Sequence, residues 1–194
     1  MKSVLLLGSI LLLSACGSMQ SQVVKKNVSF DPGSQAQIRS YGSYGSDLIR
    51  IYPETDCAKW EGTKRNAVNR RFVNGLPRKV RNISIGIPPT ELSRKTEKDT
   101  GFIFRDSYRE MVVSGNQPVV LDGAFSSQTR NHHYSCRVAA SFTPKAGEAY
   151  EVRYLSEEEG CDIEVYHIGH EEKDGVRQNK KLTANYCARP GTSF

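Results

Sequence analysis

The chain has 194 residues, a hydrophobic fraction of 38%, a charged fraction of 25% and a formal net charge of +6. This composition is typical of a globular domain, and the single long apolar run lies at the start of the chain. A modest positive charge favours contact with anionic surfaces but is a weak indication of nucleic-acid binding, so we expect no nucleic-acid partner.

The first 15 residues have the pattern of a secretory signal. Lys2 and the amino terminus supply a short positive region, and residues 4–13 are apolar apart from Gly8 and Ser9. About ten apolar residues are too few to cross the ~30 Å hydrocarbon core as a helix. We therefore predict that residues 1–15 are a cleaved signal peptide rather than a membrane anchor. If the thiol of Cys16 is not modified, the alternative is an ordinary signal peptide whose cleavage site precedes this cysteine by chance.

Leu13, Ser14, Ala15 and Cys16 follow one another at the end of this run. The segment resembles the lipobox of bacterial lipoproteins, which implies that Cys16 is acylated and becomes the new amino terminus. Two or more acyl chains make a stable tether, so we expect the protein to remain on its membrane. Because no aspartate follows Cys16, the resemblance implies an outer-membrane location facing the periplasm, with the inner membrane or the cell surface as alternatives.

The remaining chain divides into a tether and one domain. We expect residues 16–34 to be the lipidated amino terminus and a flexible linker, and residues 35–194 to be a single domain. Residues 35–41 and 48–52 are predicted to form two strands of a hairpin. The single tryptophan, Trp60, lies close to Cys57 and is interpreted as a core residue.

A basic segment at residues 64–81 interrupts this domain. It contains no acidic residue and carries apolar insertions. We interpret it as an arm that contacts lipid phosphates, an anionic envelope polymer or an acidic partner, although a solvated loop explains the same pattern. The candidate contact residues are Arg70, Arg71, Arg78 and Lys79.

The middle of the chain shows strand and turn signals. Residues 83–87 are predicted to be a short strand that ends at Pro88, and residues 90–101 are predicted to be a polar loop. Residues 102–113 and 118–125 are predicted to be two strands joined by a turn at Gly115 and Asn116.

The clearest strand pattern lies in the last third. Apolar and polar residues alternate over residues 134–142, 150–154 and 161–165, as expected for half-buried strands. Short turns between them predict an antiparallel meander. The tail, residues 169–194, is charged and then turn-rich, and Cys187 is expected to join it to the body.

These elements predict an all-β domain. About seven short strands with regular turns favour a two-layer antiparallel β-sandwich, immunoglobulin-like or transthyretin-like, and a small β-barrel is the alternative.

Four cysteines remain beside Cys16, and an even number in an oxidising compartment predicts two disulfides. Of the three possible pairings we prefer Cys136 with Cys161 and Cys57 with Cys187. In a three-stranded meander the first pair would be about 10 Å apart, which exceeds the ~7 Å limit for bridged α-carbons. The preferred pairing therefore requires the strands to belong to two sheets or to bend at an edge.

Motifs for catalysis are few. His167 and His170 are three residues apart on a predicted strand, which directs them to opposite faces, so we interpret them as surface histidines. No Gly-x-Ser-x-Gly elbow and no nucleotide, flavin or haem motif is present. We expect no enzyme activity, no cofactor and no metal. A periplasmic metal-assisted hydrolase using His167 and His170 is the alternative.

Several segments between residues 35 and 168 are similar to a group of uncharacterised small lipoproteins of Gram-negative bacteria. They include residues 38–57, Ile85-Gly86-Ile87-Pro88, Tyr108-Arg109-Glu110 and residues 136–161. The similarity implies a fold and a location but no activity, and it does not cover the basic segment or the tail. We therefore expect a membrane-anchored, non-enzymatic binding or envelope-assembly module that contacts an envelope protein or an anionic envelope polymer.

Overall fold

A computed structural model describes residues 23–42, 48–64, 66–68, 72–73, 76–77, 81–99, 106–128, 130–131, 133–157 and 160–188. The chain forms fourteen strands and one helix in these ranges. They are β1 (Val23–Lys25), β2 (Gln35–Gly42), β3 (Leu48–Pro53), β4 (Asn66–Val68), β5 (Phe72–Val73), β6 (Leu76–Pro77), β7 (Asn82–Ser84), α1 (Glu91–Lys98), β8 (Ser107–Ser114), β9 (Val119–Gln128), β10 (His133–Phe142), β11 (Ala149–Glu157), β12 (Gly160–Lys173), β13 (Val176–Leu182) and β14 (Asn185–Tyr186).

Two packed sheets confirm the prediction of an all-β sandwich. One has seven strands in the order β1-β7-β8-β2-β11-β12-β13, and the other has five in the order β14-β10-β9-β3-β4. The five-stranded sheet is antiparallel throughout. The seven-stranded sheet is mixed, because the pairs β1–β7, β7–β8 and β2–β11 run parallel.

The chain repeatedly crosses from one sheet to the other, so three predicted pairings are wrong. Strands β2 and β3 are not a hairpin, since β2 pairs with β8 and β11 whereas β3 pairs with β9 and β4. The turn between β8 and β9 also connects the two sheets. Strand β10 lies in the five-stranded sheet, so only β11 and β12 of the predicted meander are neighbours. Period-two alternation identifies the buried face of a strand but not the strand beside it.

Two of these crossing turns contact each other at one end of the sandwich. A Cβ at Gly115 would lie 2.6 Å from the Ala146 α-carbon, so only glycine allows this approach. The Asn116 amide donates to the Pro144 carbonyl at 2.7 Å. The β8–β9 and β10–β11 connections are therefore packed together.

The hydrophobic core lies between the sheets. Ile38 and Val152 contribute from the seven-stranded sheet, Ile51 and Leu121 contribute from the five-stranded sheet, and all four are completely buried. Burying one such side chain contributes about 1.5–3 kcal/mol. This shared core holds the two layers face to face.

Both predicted disulfides are present and have ordinary α-carbon separations. Cys136 and Cys161 are 6.0 Å apart at their α-carbons and join β10 to β12, so the bridge connects the two sheets. The predicted pairing required its two strands to lie in different sheets or to bend, and they lie in different sheets. Cys57 and Cys187 are 5.0 Å apart and join the segment after β3 to the tail.

Trp60 is a packing residue, as predicted. It is buried in a second apolar cluster with Val120, Ala139 and Cys187. Its ring meets the Tyr52 ring edge-on at a centroid distance of 5.1 Å. The cluster covers the Cys57–Cys187 bridge on the outer side of the five-stranded sheet.

Residues 90–101 were predicted to be a loop, but α1 occupies Glu91–Lys98. Thr90 caps the helix: its hydroxyl accepts from the Ser93 amide, and the Ser93 hydroxyl accepts from the Thr90 amide. The buried residues of α1 are Ser93 and Thr96. Because its buried side is polar, α1 lacks the apolar periodicity by which helices are normally predicted.

Both ends of the described chain contain more strand than expected. Residues 23–25, within the predicted linker, form β1 and pair with β7. The tail contributes the end of β12 together with β13 and β14. Of residues 83–87, only the first two belong to a strand, β7, and the rest form a loop over the seven-stranded sheet.

Candidate functional site

Five site residues predicted from sequence lie outside the described ranges. These are Cys16 and the basic residues Arg70, Arg71, Arg78 and Lys79. The signal peptide lies outside them as well, so lipidation and the basic arm stay predictions.

His167 and His170 do not point apart as predicted. A register irregularity in β12 between Ile168 and Glu172 changes the alternation, and both imidazoles approach one oxygen of Glu148. The distances from Nε2 to Glu148 Oε2 are 2.7 Å for His167 and 3.6 Å for His170. The hydrogen bond from His167 is the main cause of a lowered pKa of Glu148. Among the described residues, no group of three histidine, cysteine or acidic side chains is arranged to hold a metal ion.

A buried ionic network lies on the outer face of the seven-stranded sheet, under α1 and the loop before it. At its centre is Arg39 of β2, which is 1% exposed. Its Nε donates to Glu110 Oε1 of β8 at 2.9 Å, and its Nη1 donates to Glu151 Oε1 of β11 at 2.9 Å. Burial opposes the charged form of Arg39, but Tyr41, Glu110 and Glu151 outweigh it and raise the Arg39 pKa.

Glu110 holds the loop that precedes α1. Its Oε2 accepts hydrogen bonds from the three consecutive amides of residues 85–87, at 2.7, 3.1 and 3.2 Å, and from the Ser84 hydroxyl at 2.9 Å. Arg39 Nη2 donates to the carbonyls of residues 87 and 88. Each of these hydrogen bonds involves a charged side chain, either Glu110 or Arg39. Together they fix the loop on the sheet.

Glu151 holds both α1 and β13. Its Oε1 accepts from the hydroxyls of Tyr41 and Thr90, each at 2.5 Å, and its Oε2 accepts from the Asn179 side-chain amide. Thr90 is the N-cap of α1, and Asn179 lies in β13. One carboxylate thus fixes the start of the helix and the edge strand in relation to the sheet.

The network is closed to solutes. Arg39, Glu110 and Glu151 are between 1% and 3% exposed. Substrate cannot reach these groups, and their effect is to position the elements above them.

A shallow cleft opens between α1 and the β12–β13 hairpin. Its volume is about 670 Å³, and none of the described residues that line it is a serine, cysteine or histidine. The outer side of α1 contributes residues spaced by three and four positions, and the hairpin contributes the rest. The lining residues are Glu91, Arg94, Lys95, Lys98, Lys173, Asp174, Val176 and Gln178.

The cleft carries more positive than negative charge. Four cations line it against the carboxylates of Glu91 and Asp174. Lys95, Lys98 and Lys173 are exposed and form no ion pair or side-chain hydrogen bond with any other part of the chain that the structure describes. Their ammonium groups therefore remain available to an anion from outside.

Direct contacts hold the two sides of the cleft together. Arg94 Nη1 and Nη2 donate to the carbonyls of Asp174 and Gly175, at 3.2 and 2.6 Å. These two turn residues have φ angles of 53° and 72°, a conformation that the Asp-Gly pair of a tight hairpin adopts readily. The Arg177 amide donates to the Pro89 carbonyl at 2.8 Å. The cleft is consequently preformed rather than assembled by moving elements.

Sequence reasoning missed this site for an identifiable reason. The signals were the Thr90–Ser93 capping pair, the basic stripe of α1 and the Asp174-Gly175 turn. Each is visible in the sequence, but their proximity depends on the partners of β11 and β13, which local patterns do not specify.

A scan against protein-family models finds no match, and searches of curated proteins and of solved structures likewise find none. Among the described helical residues, no helix is long and apolar enough to cross a bilayer. The cleft and the network are therefore interpreted from their own geometry.

Proposed function

We propose that this protein is a membrane-anchored periplasmic lipoprotein whose sandwich domain is a non-enzymatic binding or envelope-assembly module. The lipobox-like segment ending at Cys16 supports the anchor. Its acyl chains would bind an outer membrane from the periplasmic side, and its partner would be an envelope protein or an anionic envelope polymer.

The observation that carries this proposal is the preformed basic cleft. Three lysines without partners in the described chain lie on a helix and a hairpin that one buried carboxylate, Glu151, fixes to the sheet. Rigid placement of binding groups lowers the entropic cost of association. The arrangement is suited to holding an anionic partner rather than to transforming it.

The alternative of a metal-assisted hydrolase is tested by metal analysis. The convergence of His167 and His170 on Glu148 is the only observation in the described chain that favours it. We expect the purified, unstripped protein to contain no stoichiometric zinc, copper or nickel. A bound metal that is lost in a His167→Gln variant would overturn the non-enzymatic proposal.

A photo-crosslinking amino acid placed at Lys95, inside the cleft, tests the binding role in the native envelope. We expect a discrete adduct from position 95 and none from position 59, since Lys59 is exposed but distant from the cleft residues. Equal adduct patterns at the two positions would show that the cleft does not bind a partner.

Anchoring is tested independently by a Cys16→Ser variant. We expect the parent to fractionate with membranes and to carry a mass increase on its amino-terminal peptide, and the variant to lose both. The basic segment has its own test: serine at Arg70, Arg71, Arg78 and Lys79 should weaken binding to anionic vesicles, more strongly at low salt.

A further inference from the structure

The basic cleft lies at the edge of the seven-stranded sheet opposite to β1. Strand order places β1 at one edge and β13 at the other, six strand spacings away. At about 4.8 Å per spacing, the two edges are about 29 Å apart before twist is considered. The β12–β13 side of the cleft is therefore remote from β1, whereas the last turn of α1 lies over β8, where the Tyr108 hydroxyl donates to Glu97.

Strand direction separates them further. The register connects one row of residues across the sheet: Val24, Ile83, Arg109, Ser40, Val152 and Val165. The chain enters β1 just below this row, whereas β12 continues beyond it to Lys173, where the cleft begins. The entry point of the chain and the β12–β13 turn thus lie at opposite ends of the strands as well as at opposite edges.

The length of the tether limits how far the domain can turn. Six residues separate Cys16 from Val23. A chain of that length spans about 14 Å on average and at most about 25 Å when fully extended. The field of anionic headgroups decays over about 8–10 Å at physiological salt. If Cys16 carries the anchor, as the proposed function requires, the β1 edge is held nearest the bilayer and the β12–β13 turn is the part of the sheet farthest from the anchor.

The free donors of the cleft suit a phosphate. Both terminal nitrogens of Arg94 donate one hydrogen bond each, to the carbonyls of residues 174 and 175, so its guanidinium is held against the turn. The free cations are three lysine ammonium groups, which act as point charges and suit the several oxygens and the higher charge of a phosphate.

We infer that this cleft binds a phosphate-bearing polyanion in trans, that is, one that does not belong to the bilayer holding Cys16. The inference rests on the proposed function for the position of the anchor and adds the class of ligand and the direction from which it comes. The domain would then connect the membrane, near its β1 edge, to a second component of the envelope, bound in the cleft.

Lysine acetylation rates, measured by mass spectrometry on the full lipidated chain in vesicles, test both parts of the inference. In phosphatidylcholine vesicles, we expect inositol hexakisphosphate to slow acetylation of Lys95, Lys98 and Lys173 and to leave Lys25 and Lys26 unchanged. In phosphatidylglycerol vesicles without that probe, we expect the reverse pattern, because only the lysines near the anchor are close to the headgroups.

Three results would overturn the inference. Protection of the cleft lysines by phosphatidylglycerol as strong as that of Lys25 and Lys26 would identify the anchoring bilayer as the ligand. Inositol hexakisphosphate could leave the cleft lysines unprotected, which would exclude a phosphate site. Equal protection by an oligoglutamate of matched charge would remove the selectivity for phosphate.

Matched variants distinguish binding in the cleft from a general effect of the protein's net charge. Lys95→Gln, Lys98→Gln and Lys173→Gln together should weaken binding of inositol hexakisphosphate by roughly 100-fold, at about 1 kcal/mol for each lost contact. The control, Lys25→Gln, Lys26→Gln and Lys59→Gln, removes the same charge and should change the affinity less than about twofold. Equal losses in both variants would show that binding is nonspecific.

Failure of the proposed function is recognised separately. A chain that does not co-float with vesicles lacks the anchor. The proposed function and the inferred orientation on the membrane are then both wrong. A chain that co-floats but whose cleft ignores the phosphate probe contradicts only the inference about the ligand.

Discussion

Arg39 shows how a single residue can lie where its strand pattern does not predict it. Its neighbours Ile38 and Ser40 are completely buried on the core side of β2, so alternation predicts that Arg39 faces water. It is instead covered by the segment from Ser84 to α1. Removing one partner from a buried ion pair costs about 3–5 kcal/mol, so each member of this network is sensitive to substitution.

Asp122 repeats this arrangement on the five-stranded sheet. Its side chain is completely buried, and it pairs with Arg50 and Arg137, each at 2.8 Å. The two arginines come from the neighbouring strands β3 and β10. Charged residues on the outer faces of both sheets thus act between strands rather than as isolated surface groups.

The Glu148–His167 contact predicts an acid-dependent loss of stability. Because the folded-state pKa of Glu148 lies below its usual value, the unfolded chain binds more protons in the acid range, and stability falls as pH drops through that window. A His167→Gln variant removes the main cause of the lowered pKa. In urea unfolding between about pH 5 and pH 3, we expect the parent to lose more free energy than the variant.

The expected difference is about 0.2–1 kcal/mol, as for other partly exposed ion pairs. His133→Gln is the matched control, because the His133 ring contacts Ser126 rather than a carboxylate. If His133→Gln flattens the acid dependence as much as His167→Gln does, the Glu148 contact is not its cause.

At the scale of elements, α1 depends on polar contacts at its first residue. The Thr90 hydroxyl accepts from the Ser93 amide at 3.1 Å and donates to Glu151 Oε1 at 2.5 Å. Thr90→Val keeps the shape of the side chain but removes both bonds. We expect it to cost about 1–3 kcal/mol, from the lost cap and one lost hydrogen bond to Glu151, whose Oε1 still accepts from Arg39 and Tyr41.

Thermal unfolding measures this cost, and hydrogen exchange of residues 94–98 locates it. Thr90→Ser retains the hydroxyl and should stay within about 0.5 kcal/mol of the parent. Valine and serine variants with the same stability and the same exchange rates would show that the hydroxyl does not hold the helix.

Sequence patterns predicted the strands far better than their partners. The alternation over residues 134–142 placed β10 nearly correctly, because a buried face imposes its period on the sequence. The choice of β14 and β9 as its neighbours depends on contacts that are distant in the chain. The helix was missed because tertiary hydrogen bonds, rather than an apolar stripe, stabilise it.

The basic cleft was beyond local prediction for the same reason. Lys98 and Lys173 are 75 positions apart in numbering, and only the sheet order brings their elements together. Geometry did not select the preferred disulfide pairing, but the distance limit on bridged cysteines required β10 and β12 to lie in different sheets or to bend, and they lie in different sheets.

At the scale of the whole molecule, the two disulfides should differ in their effect on stability. The Cys57–Cys187 bridge closes a separation of 130 residues, and the Cys136–Cys161 bridge closes one of 25. In the chain-entropy description, these contribute about 5 and 3.5 kcal/mol. We therefore expect the paired serine variant at 57 and 187 to be the less stable of the two.

Urea unfolding of both paired variants, with intact masses to verify one remaining bridge in each, checks the order. Greater loss for the variant at 136 and 161 would show that the connection between the sheets outweighs the length of the closed loop.

The Cys136–Cys161 bridge lies within the stretch of chain that the Cys57–Cys187 bridge closes. This nesting also affects how the chain matures. If the chain is exported from its amino-terminal end, as the proposed function implies, Cys57 is the first of the four bridging cysteines to emerge and Cys136 is the next, yet the native partner of Cys57 is Cys187. Oxidation in order of emergence would join the wrong pair, and correcting it requires thiol–disulfide exchange through a mixed intermediate. If oxidation follows that order, correct maturation of this fold requires rearrangement of disulfides in addition to their formation.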